Sequence, residues 1–176
     1  MSADNPSGDQ NTRPGTGRSQ AAGLHARLNA RLQAQLDRTT SGGVSTRCAD
    51  APSPRLLHAI EQFNYREYFE CHETLEGIWN DEPGPVRVLY KGILQIGVGC
   101  YHLLRGNYRG AILKLRTGTD YLEAFAPDCM TIQVAQLIAD AHQLRSAIIA
   151  LGPDRLREVD LLLLPRIQVG GPPPKP

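Results

Sequence analysis

The sequence has no run of 18 or more consecutive apolar residues, the length a helix needs to cross a bilayer, so no membrane-spanning segment is expected. No apolar stretch near the N-terminus fits a secretory leader. The first 47 residues favour Arg and Ser as organellar leaders do, but Asp4, Asp9 and Asp37 count against one. A dominant charge is missing too: 19 basic side chains stand against 18 acidic ones, a formal net charge of +1. That gives no global field for capture of nucleic acid or an anionic membrane, and neither is expected as a partner. Cysteines are few. Cys48, Cys71, Cys100 and Cys129 never approach the close spacings that thiolate zinc sites and redox dithiols use. They read as small buried hydrophobes of a reducing compartment, and the chain is assigned to the cytoplasm. Strand signals are also lacking: LLLLPRIQV is the one strand-like stretch, and Pro165 interrupts it.

What remains is helical periodicity between two poor ends. Residues 1–20 hold almost nothing to bury and read as a disordered tail; residues 169–176 read as a Pro/Gly tail. Over 21–38, Leu24, Leu28, Leu32 and Leu36 recur every fourth residue, which predicts an accessory helix with Arg27, Arg31 and Arg38 beside its leucine stripe. A Ser/Gly/Thr linker follows over 39–52, and the main domain runs over 53–168. Ser53 and Pro54 are set to start its first helix. Asn64 with Glu67 three residues on predicts a capping box for the second, which runs to about Trp79. VRVLYKGILQIGVGCYHLLRGN is apolar nearly all round and is the predicted central helix, its Gly92, Gly97 and Gly99 admitting a close neighbour. Gly106 and Asn107 separate it from a fourth helix, and a last long one ends at Gly152 and Pro153. The expectation is an all-α fold, a compact antiparallel bundle of four to five helices with an accessory N-terminal helix.

The stretch FECHETLEGIW, residues 69–79, adds chemistry to this frame. At about 100° per residue, Tyr68, Cys71, Leu75 and Ile78 form its apolar centre, and His72, Glu76 and Trp79 fall along one border. A histidine and a carboxylate one turn apart offer lone pairs side by side, as a divalent ion or a general acid/base pair requires. They also suit a mutual hydrogen bond at the edge of a core. On the central helix, Lys91, Gln95 and His102 form a second polar stripe. Antiparallel packing of the two helices predicts a cavity lined by His72, Glu76, Gln95 and His102.

FNYREYFECHETLEGIW followed by YKGILQIGVGCYHLLRGNYRGA resembles the family of domain of unknown function 309. That family's pattern is a Phe-Asn helix start, an EaHE-x-LE-x-x-W helix and a GLIQ-x-x-x-x-x-H-x-x-x-GN-x-x-GA segment. The likeness covers about residues 56–125 and departs at Cys71, where alanine is common, and at Ile93, Ile96, Gly97 and Gly99. The resemblance implies a small all-α bundle and the label of predicted metal-dependent hydrolase. Carried over, the family's polar positions are Glu70, His72, Glu73, Glu76, Trp79, Gln95, His102 and Asn107. On the hydrolase reading, His72, Glu76 and His102 hold a divalent metal ion, and Glu73 and Gln95 act as base or orienter of an attacking water. Trp79, Tyr101 and Asn107 line the pocket. The alternatives are a non-catalytic module binding a small molecule or a protein, and a structural polar network with the leucine stripe mediating assembly. A small-molecule ligand or substrate is the expected partner, with homo-oligomers left open.

Overall fold

Ser53 begins the first helix as its sequence predicts. In the computed structural model, which describes residues 47–170, its side chain accepts a hydrogen bond from the Leu56 N–H (3.2 Å) ahead of α1 (Pro54–Asn64). The tail at 1–20, the accessory helix at 21–38, the linker as far as residue 46 and residues 171–176 of the tail predicted at 169–176 lie outside the described residues, whereas Val169 and Gly170 of that tail pair with the chain near Ile132 and Thr131. Leu56, Ala59, Ile60 and Phe63 are the buried face of α1.

The second helix, α2 (Tyr68–Asp81), does not start as predicted. Asn64 closes α1, and Glu67 precedes α2 without a side-chain cap. The reason is tertiary. The Asn64 side chain donates to the Ile167 carbonyl (2.9 Å) and accepts from the Ile167 N–H (2.8 Å), so its amide secures the C-terminal segment. Arg66, at φ 67°, makes the reversal between the helices instead. Tyr68, Cys71, Leu75 and Ile78 are buried, as their spacing predicts.

The central helix α3 (Arg87–Leu104) packs between α2 and α4 (Tyr108–Leu122). Its glycines let α4 come close. A Cβ on Gly99 would stand 2.9 Å from the Leu115 nitrogen, and one on Gly118 would stand 2.9 Å from the Gly92 carbonyl oxygen. Gly106, at φ 75°, ends α3, and the Asn107 side chain accepts from the Gly110 N–H (2.9 Å) to start α4. A 3-10 turn, Glu123–Phe125, closes α4; α5 (Val134–Leu151) packs back on α4 and ends at Gly152, also at φ 75°. Five α-helices in this order make the all-α bundle.

Two features were not predicted. A hairpin, β1 (Asp128–Cys129) with β2 (Ile132–Gln133), turns through Met130 and Thr131, both left-handed at φ 49° and 61°. The C-terminal segment then runs alongside it: the Gly170 N–H donates to Thr131 (2.7 Å), the Gln133 N–H donates to Gln168 (2.9 Å), and Val169 bridges Ile132. The strand-like reading of LLLLPRIQV is met there only at its end, since Leu161–Leu163 form a 3-10 turn. The second feature corrects the reading of the cysteines. Cys71 and Cys100 are free and buried, but Cys48 and Cys129 form a disulfide. Their separation of 81 residues escapes any local spacing rule, and the fold brings them together by laying residues 47–50 on the hairpin, where Cys48 accepts from the Met130 N–H (2.7 Å). No described helix is long and apolar enough to cross a membrane.

Candidate functional site

The α2–α3 interface brings Trp79 against the polar stripe of α3. The end of α2 meets the start of α3: the Arg87 guanidinium lies 4.7 Å and the Lys91 ammonium 5.5 Å from the Trp79 ring centroid. Lys91 is also 5.1 Å from the Tyr121 ring of α4, so its charge sits between two aromatic faces. At the other end Tyr68, the first residue of α2, lies over Gly97, where a Cβ would stand 3.7 Å from its ring, and neighbours Cys100. The two helices therefore run antiparallel in a fixed register.

That register decides which candidates meet. From Tyr68 to His72 is one turn, about 6 Å toward the Trp79 end, whereas His102 lies on the opposite side of Cys100. His72 and His102 are thus separated by more than a turn along the interface. Both are half-buried, as is Gln95, while Glu73 and Glu76 are exposed. No hydrogen bond or ion pair joins His72 to Glu76 among the described residues. The candidates fall in two places: Trp79 meets Lys91 at the seam where α2 packs on α3, whereas His102 and Asn107 lie against the first turn of α4, where a Cβ on Gly110 would stand 2.8 Å from His102 Cγ. Tyr101 is 39% exposed with its ring 6.4 Å from that of His102, so it stands on the surface rather than in a pocket wall.

The His102 end has a defined hydrogen-bond order. Asn107 Oδ1 is fixed by the Gly110 N–H, which turns its Nδ2 toward His102 Nδ1 at 3.2 Å. An amide nitrogen can only donate, so the contact uses the Nδ1 lone pair of His102 and leaves that nitrogen none to offer a cation. Among the described residues no group of three or more His, Cys, Asp or Glu side chains is arranged to hold a metal ion. The donor set His72, Glu76 and His102 does not fit a divalent metal in this arrangement.

On the stripe of α3 between Lys91 and His102 stands Gln95. Its Oε1 is buried with no hydrogen-bond partner, as are Gln62 Oε1, Tyr68 OH and Arg145 Nε among the described residues. Of these four atoms only that of Gln95 belongs to the polar stripe of α3. Beneath the seam the surroundings are apolar. Burial pushes the thiols of Cys71 and Cys100 up to about 12, and raises the Tyr68 phenol. Arg87, Lys91 and Tyr121 were not assigned to a site from sequence, although the signal was present: Arg87 and Lys91 are i and i+4 at the start of the helix that folds back on Trp79.

Fold and seam together define a small helical bundle with a polar stripe on its central helix. Residues 56–113 match the family described as Domain of unknown function (DUF309), from α1 to the first turns of α4, and so include every site residue expected from sequence but not Tyr121. Over 61 residues the chain is 39% identical to the uncharacterized protein YpuF of Bacillus subtilis (strain 168), covering 34% of this chain and 35% of that protein. The chain thus spans about a third of the length of that relative. No solved structure matches.

Proposed function

We propose that the α2–α3 seam is a binding site for a small molecule and that the domain acts as a binding module rather than a metal-dependent hydrolase. The observation that carries this reading is the Gln95 carbonyl, a buried acceptor without a hydrogen-bond partner on the polar stripe of α3. An unsatisfied buried acceptor costs about 1–3 kcal/mol, and a ligand that donates to it removes that cost. His72 is half-buried on α2, and Trp79 lies about two turns further along the same helix beside Lys91; they supply a second polar group and an apolar wall. The hydrolase reading draws no support from the donors, for the reasons given by His102 and Asn107.

The test is a Gln95→Leu variant. If Gln95 serves a ligand, the purified variant is at least as stable as the parent, because its orphan acceptor is gone, and it loses the thermal shift that a screen of small polar metabolites produces on the parent. The same preparations are assayed for metal content and for shifts with zinc, manganese, iron and nickel. Stoichiometric metal lost in His72→Ala, or clear destabilisation in Gln95→Leu without ligand, would defeat the reading.

A further inference from the structure

We propose that the end of the bundle where α3 finishes docks an acidic, amphipathic segment of a partner protein. A groove of about 490 Å³ opens there between the last turn of α3 and the Leu156–Leu161 stretch, with Leu104, Arg105, Arg157 and Leu161 on its rim. A smaller pocket of about 140 Å³ adjoins it, sharing Leu161 and adding Leu162, Arg66 and Arg166. The apolar part is well exposed: Leu162 is 87% accessible, Leu104 44% and Leu161 42%. It is also held in place. The Asp160 side chain accepts from the Leu162 N–H (2.9 Å) and Arg66 Nη2 donates to the Leu161 carbonyl (3.3 Å), so the 3-10 turn presents both leucines outward from fixed backbone.

Charge identifies the occupant. Neither cavity is lined by an Asp or Glu, and none of the four arginines makes an ion pair among the described residues. The nearby carboxylates are engaged elsewhere, Asp160 as the cap just described and Glu158 with Arg155. A second copy presenting the same surface would set arginine against arginine. The chain's own leucine stripe from Leu24 to Leu36 carries Arg27, Arg31 and Arg38 and brings the same sign. The complementary partner has leucine-like side chains along one helical edge and Asp or Glu beside them, so that guanidinium forks meet carboxylates around an apolar centre.

The probe is a dye-labelled helical peptide with leucines at i, i+4 and i+7 flanked by glutamates, titrated by anisotropy into the full chain. The expected result is saturable binding, weakened about tenfold or more by Arg105→Glu with Arg157→Glu, and likewise by Leu162→Asp. These residues are on the surface, and an unchanged circular dichroism melt verifies that the variants are folded. A peptide with lysines in place of the glutamates should not bind. The proposal is overturned by no saturable binding of the acidic peptide, by equal binding to the variants, or by binding to phosphatidylserine vesicles in its place. Sedimentation showing that the charge reversals abolish a dimer would likewise assign the surface to self-association and overturn it. The readout is independent of Gln95, so failure here leaves the seam reading intact.

Discussion

Cys71 and Cys100 show how far a single residue's surroundings set its chemistry. Both thiols rise from 9.0 to about 12 because burial disfavours the thiolate. The native state therefore keeps protons that the unfolded chain has released between those values, and this contribution to stability, complete below about pH 9, is lost as the pH rises toward 12. Denaturant midpoints should fall through that window, less so in Cys100→Ala. At pH 8, iodoacetamide should label neither thiol until the protein is unfolded, and labelling of the native protein would contradict the burial. Cys71 was legible from periodicity alone, since it falls on the same line as Leu75 and Ile78. His102 was legible as a polar residue on an apolar helix, but its role depends on Asn107, five residues on and beyond the end of the helix. No spacing rule within one helix predicts that an amide turned by Gly110 will face the Nδ1 of a histidine.

At the scale of elements, the three close glycines of the α3–α4 contact and Gly97 make contrasting predictions. Gly99→Ala sets a methyl 2.9 Å from backbone, which cannot yield without moving a helix. It should cost about 1–3 kcal/mol, the usual range for overpacking, seen as a lowered urea midpoint. Gly97→Ala meets the Phe63 ring at 3.5 Å and the Tyr68 ring at 3.7 Å, ordinary contacts, and gains up to about 1 kcal/mol of helix propensity. It should be neutral or stabilising. The sequence predicted that Gly92, Gly97 and Gly99 mark a close approach but did not distinguish Gly92 and Gly99, which face α4, from Gly97, which faces Phe63 and Tyr68. The four helix starts and stops marked by Ser53, Gly106, Asn107 and Gly152 were readable because the determinants lie within a few residues. The hairpin was not, because its turn uses Met130 and Thr131 where a two-residue turn with positive φ usually calls for Asn or Gly. Tertiary contacts compensate: Met130 is held through its N–H by Cys48 and through its sulfur by the Tyr90 hydroxyl (3.7 Å), and Thr131 by Gly170.

For the whole molecule, the Cys48–Cys129 link ties the segment before α1 to the hairpin before α5. Closing so long a loop restricts the unfolded chain, and its loss should cost up to about 4 kcal/mol. Cys48→Ser should lower the guanidinium midpoint by the same amount as reduction of the parent protein, and reduction should then leave the variant unchanged. Arg47, paired with Glu82 at 2.9 Å, retains part of the tether in either case. The single tryptophan gives this architecture an optical consequence. Because Trp79 lies under Arg87 and Lys91, its emission reports the closure of α2 on α3 and little else. A fluorescence transition that precedes the circular dichroism transition would mean that the seam parts while the helices persist; coincident transitions would mean that the seam opens only as the bundle unfolds.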